Sequence, residues 1–395
     1  MSGESNRLDE PAFVSDDRWA HHGDAIIETG VVWARSGMTD GGVPGIEDLS
    51  RLGRWLDENG VARDQERPPR AALIAGGRSN LTYLLDAGLP PGSAGTALLV
   101  LRRPPLGHVL PTAHDMAREY RVLSALHGTD IPVPRLVAFC LDPAVIGAPF
   151  YVMEHVTGLV LRTRDDGAQV TPAQAHQLSL MFADMLAAVH GLDPGAVGLA
   201  DFGRPEGYLE RQLARWQRQW ELSQTREMPG YEQLTARLAA GLPAADERGG
   251  TLVHGDYRLD NMLIALDSTP RIAAVVDWEM STLGDPLADL GLALVYWAEA
   301  GDDESTELSV SAAVTSCPGF LSRAEIAGRY AALTGRDVSR IGYYMAFGCF
   351  KLAVVLEGIH ARFLQHKTVG EGFEREGPAV TLLIQRAHRL LDSAE

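Results

Sequence analysis

Three short apolar runs punctuate the second half of the chain: Thr251-Leu252-Val253, Met262-Leu263-Ile264 and Ile272-Ala273-Ala274-Val275-Val276. Each is too short for a helix and is bounded by polar, turn-forming residues, so each reads as a buried strand. Their mouths carry His254-Gly255-Asp256-Tyr257-Arg258-Leu259-Asp260-Asn261 and Asp277-Trp278-Glu279. In the first half, apolar runs over 71–75 and 81–85 flank Gly76-Gly77-Arg78-Ser79-Asn80 and predict a hairpin. Runs over 97–101 and 150–153 predict two more strands. Helical periodicity covers 46–59, closed by Gly60, and 114–126, where Met116, Tyr120, Leu123 and Leu126 share a face. A helix entered at Thr171, with Pro172 just inside, runs to about His190. Further helices are predicted over 207–224 and near 286–298, 322–334, 338–366 and 377–393. The expected class is α+β: a small, antiparallel, β-rich N-lobe over 45–154 and a larger, mostly helical C-lobe over 155–395. A polar arm over 1–44 is expected to be partly disordered or to pack along the surface.

The mouths of the strands carry a definite chemistry. Phosphoryl transfer asks a protein for positioning and charge neutralisation rather than covalent work. A carboxylate near the acceptor hydroxyl orients it and takes its proton, and Asp256 is the candidate base. Mg²⁺ takes oxygen ligands, a few from protein and the rest from substrate phosphates; Asn261 and Asp277 suit it. The order His254, Asp256, Asn261, Asp277 resembles the H-R-D-x-x-x-x-N loop and following D-F-G of protein kinases. With Gly284-Asp285-Pro286 and Asp289-Leu290 added, the set resembles the aminoglycoside phosphotransferase and choline kinase-like superfamily, over roughly residues 45 to 390. The resemblance implies a two-lobed protein-kinase-like fold. It implies a catalytic set of Asp256, Arg258 and His254, a metal pair of Asn261 and Asp277, and an Asp289 that braces the loop. Asp285 equally suits a helix N-cap before Pro286, and both roles stay open. Gly255 stands where protein kinases carry an Arg that pairs with a phosphorylated activation loop, and no A-P-E segment follows Asp277. A small-molecule acceptor is therefore expected.

The nucleotide, ATP or GTP, is expected in the N-lobe. The backbone of the Gly76, Gly77, Arg78, Ser79, Asn80 turn suits covering phosphates. It matches neither the G-x-G-x-x-G nor the G-x-x-x-x-G-K-[ST] pattern, so a dinucleotide-binding oxidoreductase lacks its fingerprint. Laid on the kinase V-A-I-K strand, the phosphate-holding Lys falls on Arg102, a larger and planar cation. By resemblance Glu119 is its acid partner, Glu154 and Val156 are the backbone contacts to the base, and Met153 lies behind it. The wording Leu101-Arg102-Arg103-Pro104-Pro105 and the stretch over 277–286 are similar to the phosphotransferase domain that precedes an acyl-CoA dehydrogenase domain in larger proteins. That similarity adds a hydroxyacyl thioester to an aminoglycoside-like amino sugar as a candidate acceptor. Tyr257, Arg258, Trp297, Tyr343, Tyr344 and His360 are candidate pocket residues, each also suited to plain packing. A catalytically silent nucleotide-binding protein of the same fold is the alternative reading.

Composition narrows the partners. The net charge of −17 disfavours nucleic acid, whose phosphates need a basic face. The acids Asp302, Asp303, Glu304 and Glu307 suit either a cationic substrate or a solvated loop. Three cysteines, Cys140, Cys317 and Cys349, are far apart and form no metal-ligand pattern, as expected of a reducing cytoplasm. The N-terminus shows no signal-peptide hydrophobic region. The apolar stretch over 341–356 is interrupted by Lys351 and reads as a buried helix rather than a membrane span. A monomer or homodimer acting on a small hydroxyl compound is expected.

Overall fold

The computed structural model describes residues 37–74, 80–88, 98–106, 115–244, 249–266, 269–302, 313–365, 373 and 376–393. Gly76, Gly77, Arg78 and Ser79, most of the N-terminal arm, and Asp303, Glu304 and Glu307 lie outside them.

The N-lobe is one five-stranded antiparallel sheet in the order β1-β2-β3-β5-β4. Its strands are β1 (Arg70–Leu73), β2 (Leu81–Asp86), β3 (Leu98–Arg103), β4 (Leu136–Cys140) and β5 (Phe150–Glu154). Helices α1 (Leu49–Glu58) and α2 (Met116–Leu126) accompany it. Alternation along each strand sends side chains to opposite faces. Tyr83, Leu85, Leu101, Phe150 and Val152 pack with Leu49, Leu52 and Leu56 of α1. Leu84, Val100, Tyr151 and Met153 instead join the main core with Val122 and Leu123 of α2. Both faces are covered, which is why these strands read as continuous apolar runs. Arg102 has the parity of Leu98 and Val100, so it emerges on the α2 face.

At the described end of the arm, Thr39 makes an antiparallel bridge to Ala71 at the sheet edge. Helix α1 begins at Leu49 rather than Ile46, because Asp48 accepts the Arg51 N–H at 3.0 Å as N-cap while Ile46 pairs back to Val43.

The C-lobe holds α3 (Arg164–Ala168), α4 (Pro172–Gly191), α5 (Tyr208–Ser223), α6 (Tyr231–Ala240), α7 (Pro286–Tyr296), α8 (Arg323–Thr334), α9 (Ile341–Leu364) and α10 (Glu376–Asp392). Thr171 closes a capping box with Gln174 ahead of Pro172. Helix α9 is long and apolar enough to cross a membrane, yet 67% of its most apolar window is buried inside the protein, and α7 and α10 pack along it. Two small antiparallel ribbons sit against these helices: β6 (Thr251–Val253) with β9 (Thr282–Gly284), and β7 (Met262–Ala265) with β8 (Arg271–Val275). Strands β4 and β9 and helix α6 were not foreseen from the sequence pattern. β9 is three residues long and ends in glycine, too short to show a period.

Candidate active site

The loop leaving β6 is fastened from beneath. Asp289, buried in the first turn of α7, accepts the His254 N–H at 2.7 Å and the Gly255 N–H at 2.9 Å, and its Oδ2 lies 3.2 Å from His190 Nε2. Burial alone raises its pKa, but the hydrogen bond and charge of His190 and the His254 contacts outweigh burial and hold Asp289 below the usual carboxylate value. From α9, Lys351 donates to the Gly255 carbonyl at 2.6 Å. Gly255 has φ +84, and a Cβ there would lie 2.6 Å from the Met280 carbonyl oxygen. The Arg that protein kinases carry at this point does not fit.

His254, expected among the catalytic groups, is a brace. Its ring is fully buried, and Nδ1 accepts the Asp256 N–H at 3.3 Å. The proton is therefore on Nε2, which donates to the Val276 carbonyl at 3.0 Å. His254 thus ties the loop to the residue before Asp277.

Asp256 has both carboxylate oxygens engaged. Tyr296 Oη donates to Oδ1 at 2.7 Å, and Asn261 Nδ2 donates to Oδ2 at 3.0 Å and to the Asp256 carbonyl at 2.8 Å. This leaves the Asn261 amide oxygen as its group available to a ligand. The Asn261 carbonyl in turn accepts the Val276 N–H at 2.9 Å. Arg258 pairs with Asp260 and lies 4.3 Å over the Tyr296 ring. Although burial works against its charge, Asp260, Tyr296 and Asp256 hold its pKa above the ordinary value.

Asp277, two residues beyond β8, has φ 67, in the left-handed region, which turns its side chain off the strand line. It pairs with Arg102, whose Nε lies 3.3 Å from Glu119 and whose Nη2 lies 3.6 Å from Glu279. Burial first, opposed by Arg102 and reinforced by Asp277, pushes the Glu119 carboxyl up to about 6. Asn80, expected in the phosphate turn, has its side-chain amide committed to Glu279 Oε2 at 2.8 Å. The N-lobe is thereby latched to the Asp277-Trp278-Glu279 segment by Arg102 and Asn80 together.

In the linker, Met153 is buried beside Val100 in the sheet. The Glu154 N–H donates to the Arg135 carbonyl at 2.8 Å, and its side chain pairs with Arg135. Val156, the other expected contact to the base, follows two residues on. Among the expected pocket residues, Tyr257, Tyr343 and Trp297 donate to the carbonyls of Phe182, Leu238 and Leu321, and Tyr344 to Asp285. They serve packing, as does His360, against Gly377. Asp285 also accepts the Leu287 N–H at 2.8 Å, so its N-cap role is realised. A cavity of about 30 Å³ is lined by Arg258, Asp260, Tyr296 and Trp297 with Leu161, Phe182 and Val314.

Sequence reasoning missed Tyr296, Glu279, Lys351 and His190. Tyr296 was detectable: it lies seven residues after Asp289, two turns along one helix face. Lys351 is the one charge in the most apolar part of α9, and that anomaly was the signal.

A five-stranded lobe latched to a helical lobe, with an acid-amide-acid set at the strand ends, defines a two-lobed kinase-like phosphotransferase. The chain belongs to the phosphotransferase enzyme family (APH), whose sequence model matches residues 70–319. It is 36% identical to chicken acyl-CoA dehydrogenase family member 11 over 297 residues, which is 73% of this chain but 36% of that relative. The chain thus spans little more than a third of that relative's length. A solved structure from Ralstonia eutropha, described as an aminoglycoside phosphotransferase, is 31% identical, with a TM-score of 0.71 over 88% of this chain and 99% of that one. The GDP and kanamycin complex of APH(2")-IIIa shares the fold at 15% identity, with a TM-score of 0.53 over 81% of this chain and 93% of that one.

Proposed function

We propose that the chain moves the γ-phosphoryl group of ATP or GTP to a hydroxyl of a small molecule. The observation that carries this is the placement of Asn261: its side chain holds Asp256 and its backbone holds Val276, the residue before Asp277. One residue therefore gathers the base and the metal-binding acid. Asp256 orients the acceptor hydroxyl and takes its proton. The acceptor oxygen forms a bond to the γ-phosphorus as the bond to the β-γ bridging oxygen breaks, and the nucleoside diphosphate leaves with that electron pair. Arg258 neutralises charge beside the base, and Arg102, held by Glu119, meets the phosphates.

The donor set fits Mg²⁺. The Asp277 side chain is 31% exposed, the free atom of Asn261 is an oxygen, and both are hard ligands. Bound there with the nucleotide, the ion supplies charge neutralisation at the phosphates. Neighbours of the fold include complexes with GDP and with ADP, which supports nucleotide binding here.

For the acceptor we favour a hydroxyacyl thioester over an amino sugar. The surface beside Asp256 carries Arg258 paired with Asp260 among apolar neighbours, Leu161, Phe182, Trp297 and Val314, and the chain's relatives include acyl-CoA dehydrogenase family member 11. A polycationic sugar meets no excess of acids there. The test is a panel of hydroxyacyl thioesters and amino sugars incubated with Mg-ATP or Mg-GTP, read by mass shift. Phosphorylation of thioesters is expected. Phosphorylation of amino sugars alone reverses the acceptor assignment, and nucleotide binding without any product favours the silent nucleotide-binding protein.

A further inference from the structure

Helix α7 grips the loop at two points. Asp289 in its first turn holds the backbone N–H groups of His254 and Gly255, and Tyr296, its last residue, donates to Asp256 Oδ1 at 2.7 Å. The two residues are seven apart, about 10 Å along one face of one rod. We infer that Tyr296 is a positioning residue that fixes the Asp256 carboxylate for transfer; the inference rests on the phosphotransferase reading above. A carboxylate on a loop rotates freely unless held. Here Tyr296 holds one oxygen and Asn261 the other at 3.0 Å, which leaves one orientation. Burial, then the Asp256 charge, pushes the Tyr296 phenol well above its usual range, so it stays protonated and donates. Its ring also carries the Arg258 guanidinium at 4.3 Å. Tyr296→Phe keeps that ring and removes the hydroxyl alone.

The test uses the full chain with Mg-ATP and water as acceptor, read as phosphate release. Tyr296→Phe lowers kcat about 10- to 100-fold, the range for a hydrogen bond to a charged group. KM for Mg-ATP stays within about twofold, because the hydroxyl acts on the base and not on the nucleotide. In an Asp256→Asn background the same change lowers the rate less than about twofold, since the hydroxyl works through the carboxylate. Crystal structures of wild type and Tyr296→Phe add a readout independent of activity: the Asp256 side chain leaves its rotamer in the variant. Unchanged kcat, an equal loss in both backgrounds, or an Asp256 carboxylate that keeps its place overturns the inference. Failure of nucleotide-loaded wild type to transfer phosphate to water or to any acceptor of the panel above, with Asp256 displaced in the variant crystal, overturns the phosphotransferase reading instead and leaves the contact standing.

Discussion

Asp289→Asn separates the roles of shape and charge beneath the catalytic loop. The change is nearly isosteric, yet Asp289 accepts two loop N–H groups on two different oxygens, at 2.7 and 2.9 Å, and lies beside His190. An amide offers one oxygen, so one buried loop N–H faces an NH₂ donor. Orphaning that donor costs about 1–3 kcal/mol, and the remaining bond falls from charge-assisted to neutral, about 1 kcal/mol more. A loss of about 2–4 kcal/mol is expected in urea unfolding. The loop displacement lowers kcat more than about tenfold. The pH dependence checks the same point. The folded pKa of Asp289 is depressed, so its contribution is present above the unfolded carboxylate value and is lost as pH falls through the folded value. Asp289→Asn therefore flattens the acid limb of stability. A loss under about 0.5 kcal/mol, the range of an ordinary surface substitution, with kcat unchanged, refutes the bracing argument.

Glu119 gives the opposite sign: its pKa is raised to about 6, so the folded state holds its proton longer than the unfolded chain. Its contribution is greatest below the unfolded value and falls as pH rises through about 6; a Glu119→Gln variant, compared by urea midpoint across this window, loses that slope. Gly255→Ala forces a Cβ to 2.6 Å from the Met280 carbonyl at φ +84, so a stability loss of more than about 2 kcal/mol and a fall in kcat are expected. Thermal and kinetic assays on the purified variant check both. Arg102→Met removes the cation shared by Glu119, Asp277 and Glu279 and is expected to raise KM for Mg-ATP at least about tenfold, the effect of 1.4 kcal/mol. Unaltered KM, by steady-state kinetics, argues that Arg102 serves only the lobe latch.

Much of this site was legible because its chemistry is local in sequence. Asp256 and Asn261 lie within one loop, Asp277 ends a clear apolar strand, and Asp289 follows a proline-marked helix start. The Arg102–Glu119 pairing was legible only through the family resemblance, since the helix face read from the sequence held Met116, Tyr120, Leu123 and Leu126 and not Glu119. What stayed hidden depends on tertiary direction. Tyr296 reads as one more aromatic in an apolar helix until α7 is laid against the loop. Glu279 takes its partners Asn80 and Arg102 from the other lobe, about 200 residues away in sequence for Asn80. His254 entered the catalytic set through the motif alone, and its burial and two occupied ring nitrogens make it a strut. For the pocket aromatics the packing role is the one realised, with Tyr257, Tyr343 and Trp297 bonded to backbone carbonyls and Tyr344 to Asp285.

The central claim is that Asp256 acts on the acceptor while Asp277 serves the nucleotide. The most direct measurement follows transfer of labelled γ-phosphate from Mg-ATP to acceptor, with nucleotide affinity measured in parallel, for wild type, Asp256→Ala and Asp277→Ala. The account predicts that Asp256→Ala loses transfer and keeps nucleotide affinity within a few fold, whereas Asp277→Ala weakens Mg-ATP binding itself. Near-normal transfer by Asp256→Ala contradicts it.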